Sequence, residues 1–461
     1  MKRTLSLLLA AALLLSCAGL FSGCSSQETV TLRVYCEGDL IRSSLMDEFS
    51  KETGILVEYT TGNSTLENGM NLTEDEEDSS GSASSSGVTP ELTEEELATL
   101  EAEEAWEALD IYDRLQQRYS DYEEALAQAE ADGAETESVT MEEPVYDVVF
   151  TSGDVIEQLI EAGLVQALDY SKLSNADAIN EEYQNCDYDP GGVYSVTTLW
   201  QMMGLLWNSD YIDTQVTSWN TLWAEEYAGQ ILMPSDLRDA MAVALTSLGY
   251  SVNTESSEEL AAAWDLLGQQ SALVQDYTAA EGFSRMTEGT AWLTPAYSGD
   301  ALNMMSDNTA LSFAVPTEGT WRISYGYCVV EGTSHSEEAL AFINYMCQEE
   351  NLAKNAIYCK YSVTSDGALE KMDSSWRNNP LAYPDESVIA DTELLSFNGS
   401  DTWTDYAAQW AELLEAKAAE AADSPEEETT EESDASEEQG DTEDDPAEDA
   451  SSDTENEVSA S

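Results

Sequence analysis

The sequence predicts an α/β fold in which strands and helices alternate and build layered domains. Short apolar runs with the spacing of strands are each followed by a segment with the spacing of a helix. This alternation is typical of domains with a mostly parallel sheet. The length of 461 residues, 42% of them hydrophobic, is sufficient for two or three domains with buried cores.

The first strand is predicted at residues 30–34, where apolar and polar side chains alternate. The helix that follows carries Leu45 and Phe49 on one face and ends at Gly54. A second strand is predicted at residues 55–59. This order of strand, helix and strand is the repeating unit of a layered α/β domain.

Two later strands also precede helices. The run 146–150 is followed by a helix that ends at Gly163, and the run 230–233 is followed by Asp236 and Asp239. Acids at a helix start either cap the helix and complement its dipole or line a site. Ligand crevices of open α/β sheets lie at the carboxyl ends of the strands, so residues just after strands are candidate ligand contacts.

Residues 71–140 carry 22 acidic residues against two basic ones. An acidic and Ser/Gly-rich linker at 74–87 precedes apolar residues at roughly helical spacing. They predict one long helix or a helical hairpin that ends near Asp132. Its apolar face packs on the body of this protein or on a partner, and we expect the former. Residues 419–461 are acidic and lack aromatic residues, which predicts a disordered tail.

The start of the chain predicts export. Residues 1–24 have a basic beginning, an apolar run at 5–15 and a possible lipid-attachment cysteine, Cys24. Cys17 is an alternative anchor, and an ordinary cleaved signal is a further alternative. We expect a lipoprotein at the outer face of the cell membrane, or a protein of the periplasmic space, held to the membrane through the lipid alone.

Composition excludes several classes of function. A net charge of −77 argues against nucleic-acid binding and against binding to anionic membranes. A single histidine, His335, argues against His-based triads and multi-histidine metal sites. No CxxC motif supports a zinc or redox site. We expect buried free thiols at Cys36, Cys186, Cys328, Cys347 and Cys359.

An ordered series of segments resembles the spermidine/putrescine-binding proteins, the extracellular solute-binding components of polyamine ABC importers. The resemblance covers about residues 30–65 and 141–418. Each segment alone is weak, but their order along the chain is specific. The matching segments are 45–55, 146–163, 170–175, 187–190, 217–223, 235–239, 248–250 and 382–385.

The resemblance implies a two-lobe periplasmic-binding-protein fold with a hinge and an interlobe cleft. Lobe one is expected to comprise residues 29–202, including the 71–140 insertion, and residues 324–369. Lobe two is expected to comprise residues 203–323 and 370–418. Ligand binding between the lobes closes them about the hinge.

The resemblance also implies ligand contacts. In this family, carboxylates bind the ammonium groups and aromatic rings line the methylene chain, in agreement with charge-assisted hydrogen bonding and cation–π attraction. Asp39, Asp236 and Asp239 are expected to neutralise ammonium groups. Tyr297 and Tyr361 are expected to line the chain of the ligand, and Ser152 falls on a serine contact of the family.

The sequence departs from the family pattern in the same region. Glu37 and Asp154 stand at strand ends where the family has other residues, and they supply two new acids. Tyr325 replaces an aspartate, and Ile323 replaces a cleft tryptophan. The new acids either replace the missing ammonium contacts or mark a different cationic ligand.

We therefore expect a binding protein, not an enzyme, that delivers a polyamine to an ABC permease and its ATPase subunit. It should act as a monomer without cofactor or metal. One alternative is another cationic ligand, and another is a cation-binding or adhesive surface protein that has lost transport. A hydrolase using Asp236 and Asp239 is disfavoured, because acids three apart on one helical turn lie on the same side of a bond.

Overall fold

The computed structural model describes residues 29–62, 110–132, 136 and 139–423. Strands and helices alternate through most of this part of the chain. The strands are β1 (Thr31–Glu37), β2 (Leu56–Gly62), β3 (Val148–Ser152), β4 (Ser195–Asn208), β5 (Ile231–Pro234), β6 (Val274–Thr278), β7 (Leu293–Tyr297), β8 (Leu311–Ala314), β9 (Trp321–Val329), β10 (Ser362–Val363) and β11 (Glu393–Leu394).

The α-helices fall between and after these strands along the chain. They are α1 (Ser43–Thr53), α2 (Ile111–Ala131), α3 (Gly153–Glu161), α4 (Leu237–Ser247), α5 (Ser257–Gln270), α6 (Ser284–Glu288), α7 (Ser298–Asp307), α8 (Ser336–Met346), α9 (Glu349–Cys359), α10 (Asp366–Lys371), α11 (Ser374–Arg377), α12 (Glu386–Ala390) and α13 (Ser400–Asp423).

The first α/β unit follows the sequence prediction. β1 pairs in parallel with both β2 and β3. Helix α1 buries Leu45 and Phe49 and ends at Gly54, whose φ of 79° lies in the left-handed region that favours glycine. The apolar spacing and the glycine stop therefore predicted this unit correctly.

The sheet is mixed rather than mostly parallel. Its strand order is β2-β1-β3-β9-β4-β7-β5-β6. The pairs near its two ends are parallel, whereas β3–β9, β4–β9 and β4–β7 are antiparallel. The prediction of a mostly parallel sheet is wrong in the centre, because β4 and β9 pair there as long antiparallel strands.

Strand β4 joins the two halves of the sheet. All 14 of its residues are buried. Its first part, from Ser195 to Met202, pairs with β9. Its second part, from Met203 to Asn208, pairs with β7 and β8. One continuous strand therefore provides a pairing partner for each half, and the lobe boundaries expected from the sequence stay a prediction.

Helix α2 belongs to the predicted insertion and packs on the body of the protein. Ile111 and Leu115 are buried with Val149 and Ile156 in one apolar cluster. The helix begins behind Asp110, which has extended backbone angles and accepts a hydrogen bond from the N–H of Asp113. The helix therefore does not run uninterrupted through residue 110, and its predicted end near residue 132 is confirmed. The earlier part of the predicted long helix or helical hairpin lies outside the described residues.

Other details also differ from expectation. The matching segment 217–223 contains a short 3₁₀ segment, Trp219–Trp223, and no α-helix. Helix α13 continues to Asp423, five residues into the predicted tail. The five cysteines expected to be free thiols are buried and unpaired. The rest of the tail, the linker at 74–87, and Cys24 and Cys17 lie outside the described residues.

Across the described ranges, every helix is too short or too polar to cross a membrane.

Candidate functional site

Two neighbouring strand ends place carboxyl groups together. Asp236 follows β5 and is the N-cap of α4, where its Oδ1 accepts a 2.8 Å hydrogen bond from the N–H of Asp239. The side chain of Asp239, in the first turn of the same helix, is buried. β7 pairs with β5 and ends at Tyr297. Asp236 therefore caps helix α4 and also lines the small cavity described below, while its role as a ligand contact stays a prediction.

A chain of hydrogen bonds connects the side chains of Trp321, Tyr297 and Asp239. The indole Nε1 of Trp321 donates to the Tyr297 hydroxyl at 3.3 Å, and that hydroxyl donates to Asp239 Oδ1 at 2.7 Å. Trp321 is itself fully buried and stacks on Trp219 at 5.6 Å between ring centroids. The rigid aromatic packing thus fixes the orientation of a buried carboxylate.

Asp300 is a further residue of this site, and the sequence analysis did not identify it. It lies in the first turn of α7, three residues after Tyr297, and only 2% of it is exposed. Its Oδ1 atom is buried without a hydrogen-bond donor among the described residues. The signal was present, because an acid at a helix start directly after a strand is the pattern that singled out Asp236 and Asp239.

Three predicted residues gather at the ends of β1 and β3. Glu37 Oε2 accepts hydrogen bonds from the hydroxyl of Thr151 and from the N–H of Ser152, the latter at 2.9 Å. Asp154 lies in the first turn of α3, and its Oδ1 is buried without a donor among the described residues. The two new acids thus lie at neighbouring strand ends, with Glu37 already occupied by hydrogen bonds from β3.

Tyr325 and Tyr361 pack against each other beside the start of α7. Their ring centroids are 5.3 Å apart. Gln201 donates to the Tyr325 hydroxyl at 3.3 Å and accepts from the N–H of Gly299 at 3.0 Å. A Cβ atom at Gly299 would lie 2.5 Å from a ring carbon of Tyr361, so this close approach requires glycine.

Asp39 is placed apart from this arrangement. Its side chain is exposed and accepts hydrogen bonds from Tyr59 at 3.3 Å and from Tyr358 at 2.6 Å. The expected role of Asp39 as an ammonium contact therefore stays a prediction, and the described contacts assign it to a surface between β2 and α9.

Burial controls the protonation of the site. Burial raises the pKa of Asp300 to about 7. Burial and, next, the neighbouring charge of Asp236 hold the pKa of Asp239 well above its usual range. Burial likewise raises the pKa of Asp236, and Asp154 acts in the same direction. The carboxyl groups are therefore costly to ionise together unless a cation joins them.

A small inner cavity lies among these groups. Its volume is about 40 Å³, and its lining includes Asp236, Asp239, Tyr297 and Asp300. Within the described residues, the lining of this cavity has no basic side chain. A cavity of this volume holds a group about the size of a water molecule or an ammonium group, and it is too small for a whole elongated ligand.

A larger cavity of about 290 Å³, called the outer cavity below, shares the lining residue Asp236 with the first. Asp154, Arg238 and Trp403 are among its lining residues, together with Asp110 and Tyr112 at the start of α2. Arg238 was missed by the sequence analysis, although it stands between the two predicted acids. Burial lowers the pKa of its guanidinium group.

The carboxyl groups around the inner cavity suit a cationic group that also donates hydrogen bonds. In the part of the chain that the structure describes, no group of three His, Cys, Asp or Glu side chains has the geometry to hold a metal. Buried carboxylates gain most from a partner that offers both charge and N–H donors, as an ammonium group does.

The sequence is similar to those of known proteins. A spermidine/putrescine-binding periplasmic protein from Salmonella typhimurium is 28% identical over 255 residues, which covers 55% of this chain and 73% of the relative. A putrescine-binding periplasmic protein from Pseudomonas aeruginosa is 25% identical over 264 residues, covering 53% of this chain and 72% of that protein.

The fold is also similar to that of a solved structure. It is a spermidine/putrescine ABC transporter substrate-binding protein from Streptococcus pneumoniae, with a TM-score of 0.60 and 24% identity. The comparison covers 85% of this chain and 99% of that one. The shared fold is the two-lobe fold of periplasmic binding proteins, which confirms the fold class expected from the sequence.

The match to a family extends through most of the described chain. The family model for bacterial extracellular solute-binding proteins matches residues 110–384, which is more than half of the sequence and includes Asp154, Asp236, Asp239 and Asp300. The fold, the cleft-like site at the strand ends and this match agree, and the chain belongs to the bacterial extracellular solute-binding proteins.

Proposed function

We propose that this protein captures a polyamine between its two lobes and delivers it to an ABC permease with its ATPase subunit. The observation that carries the proposal is the cluster of three carboxyl groups around the inner cavity, in which Asp239 and Asp300 are buried and Asp236 is half-buried. A primary ammonium group offers three N–H donors and one positive charge, which match this cluster. The names of the similar proteins support the same ligand class.

The aromatic residues have a complementary role. Tyr297 lines the inner cavity, and its hydroxyl holds Asp239 in place. Tyr325 and Tyr361 pack over the first turn of α7, which carries Asp300. Apolar ring surface next to carboxylates suits a ligand with methylene groups between ammonium groups. We assign Ser152, Glu37 and Asp154 to the opposite side of the cleft.

Closure of the lobes completes the site in this proposal. Lobe one comprises residues 29–202 and 324–369, and lobe two comprises residues 203–323 and 370–418. β4 and β9 pair along the junction and so act as the hinge strands. We further propose that a lipid on Cys24 keeps the protein at the outer face of the membrane, where the permease receives the ligand.

Calorimetric titration of spermidine and of putrescine into the full chain tests the proposal. Salt should be about 0.15 M, because an acidic chain collects polycations loosely at low ionic strength. We expect a saturable isotherm with one ligand per chain. Asp239→Asn keeps the acceptor for the Tyr297 hydroxyl but removes the charge, so affinity should fall at least about 30-fold, or roughly 2 kcal/mol.

A matched control separates the site from the general negative charge. Asp265→Asn removes the same charge from an exposed position on α5 and should leave the affinity within about twofold. Equal weakening by both substitutions, or heat without a defined stoichiometry, would contradict polyamine capture by the cluster. Another cationic small molecule would then be the alternative to test.

A further inference from the structure

The two cavities of the site differ in size and chemistry. The inner cavity of about 40 Å³ is lined by three carboxyl groups, and the outer cavity of about 290 Å³ shares one of them, Asp236. In the proposed function an ammonium group takes the inner cavity, which is too small for a longer ligand, and the outer cavity on the other side of Asp236 is the space for the remainder. The outer cavity therefore determines which ligands fit beyond their first ammonium group.

Two buried polar atoms of residues that line the outer cavity have no hydrogen-bond partner within the described chain. They are Asp154 Oδ1, an acceptor, and Arg238 Nη1, a donor. Arg238 is 9% exposed and is fixed by its other nitrogens, which donate to Ser396 O at 3.1 Å and to Asn253 Oδ1 at 2.8 Å. Buried polar atoms that stay unpaired lose the hydrogen bonds they would make in water, so a ligand that pairs both atoms gains affinity.

A second ammonium group satisfies only one of these atoms. It can donate to Asp154, but it brings a positive charge close to the guanidinium of Arg238 and offers no acceptor to Nη1. A carboxylate accepts from Arg238, but it enters a cavity that Asp110, Asp154 and Asp236 also line. A neutral amide has the required pair, because its N–H donates to Asp154 and its carbonyl accepts from Arg238.

The walls of the outer cavity suit an acyl group. Tyr112, Phe397 and Trp403 line it, and the Trp403 ring lies 4.9 Å from the Arg238 guanidinium carbon. Trp403 is itself held by a 2.7 Å hydrogen bond from its Nε1 to Phe397 O. These aromatic surfaces provide apolar contact for a short acyl chain next to the polar pair.

We propose that the preferred ligand is an N-acylated polyamine, with a free ammonium group in the inner cavity and its amide between Asp154 and Arg238. This inference rests on the proposed capture of a polyamine and specifies the class of polyamine. It also assigns a specificity role to Tyr112, because the start of the α2 segment forms one wall of the cavity that receives the acyl group.

Competitive calorimetry with the full chain tests the inference. Spermidine and the two isomers of mono-acetylated spermidine that carry the acetyl group on a terminal nitrogen are titrated at about 0.15 M salt. We expect one isomer to bind at least about tenfold more tightly than spermidine, because its amide pairs both buried atoms. Spermidine that binds one-to-one and as tightly as both isomers would overturn this inference alone. Absence of saturable binding by all three ligands would overturn the proposed function with it.

Filling the outer cavity provides a second test. Gln158 lines this cavity from α3, so Gln158→Trp should lower the preference for the acetylated ligand over spermidine at least about tenfold. Glu161→Trp adds the same ring at an exposed position of the same helix and should leave that preference unchanged. An unchanged preference in both variants would contradict placement of the acyl group in the outer cavity.

Discussion

Asp239 illustrates how a buried carboxyl group becomes useful for binding. Its Oδ1 accepts from Tyr297, which in turn accepts from Trp321, so the acid is fixed before a ligand arrives. Burial and the nearby Asp236 hold its pKa well above its usual range. A cation that enters the inner cavity reverses this penalty, because it stabilises the ionised form. Ligand binding should therefore release protons.

Proton release is measurable at neutral pH. The pKa of Asp300 is raised to about 7 by burial, so this carboxyl group is partly protonated at pH 7, and an ammonium ligand favours its ionised form. We expect the calorimetric binding enthalpy of spermidine at pH 7 to vary with the ionisation enthalpy of the buffer, in the sense of proton release. The dependence should weaken in Asp300→Asn. A binding enthalpy independent of the buffer would contradict this linkage.

The same carboxyl group should control stability against pH. Asp300 keeps its proton in the folded state up to about pH 7 but loses it in the unfolded chain near its ordinary value of about 4. The folded state therefore binds more protons between these values, and stability falls as pH rises through this window, by up to roughly 4 kcal/mol.

Urea unfolding of the ligand-free protein between pH 4 and pH 8 measures this effect. Asp300→Asn should flatten the decline and raise the unfolding midpoint at pH 8 relative to the unsubstituted chain. The exposed Asp265→Asn serves as the control, with an unchanged pH profile. A profile of Asp300→Asn that parallels the unsubstituted chain would show that another group controls the pH dependence.

The sequence predicted some of these residues better than others. The position of Asp236 and Asp239 at the inner cavity was predictable, because a strand end followed by acids at a helix start is a local pattern, while their contact with a ligand stays a prediction. Asp300 follows the same pattern but was overlooked. Asp39 also follows a strand, yet its side chain is exposed, because position along a strand end does not determine the direction of a side chain in the turn that follows.

At the scale of elements, helix α2, which belongs to the acidic insertion at 71–140, packs on the core. Ile111 and Leu115 are buried against residues of β3 and α3. Arg114 is also buried and donates to the Tyr146 hydroxyl at 3.1 Å. The helical spacing of apolar residues predicted both the helix and its packing, whereas the break at Asp110 was not predicted, because a capping aspartate resembles any other acid in so acidic a segment.

Leu115→Ala tests the packing of α2. Leu115 is 1% exposed, and truncation of a buried leucine typically costs about 2–5 kcal/mol through lost burial and a residual cavity. We expect the free energy of unfolding, measured by urea denaturation, to fall by that amount. Leu126→Ala, on the partly exposed later part of the same helix, should cost less than about 1 kcal/mol. Equal losses in the two variants would contradict docking of the helix through its first turns.

Strand pairing limited the prediction of the sheet. Apolar runs locate strands, but they do not specify which strands pair. β4 and β9 are separated by more than one hundred residues in the sequence, and their antiparallel pairing from Ser195↔Cys328 to Met202↔Arg322 depends on the whole fold. The parallel units at the two ends of the sheet were predictable, because a helix between two strands is a local feature.

At the scale of the whole molecule, the net charge of −77 complicates every binding experiment. A polycation will associate with so acidic a chain at many places when salt is low. Affinity alone therefore does not identify the site. The distinguishing property of the inner cavity is that Asp239 and Asp300 are buried, so their attraction for a cation is screened less by salt than that of surface acids.

A crystal structure of the full chain with bound spermidine tests the central claim most directly. The account predicts one ligand per chain, with a terminal nitrogen in the inner cavity within hydrogen-bond distance of Asp239 or Asp300 and the remainder in the outer cavity. Spermidine bound only to exposed acids, with the inner cavity free of ligand nitrogen, would contradict it.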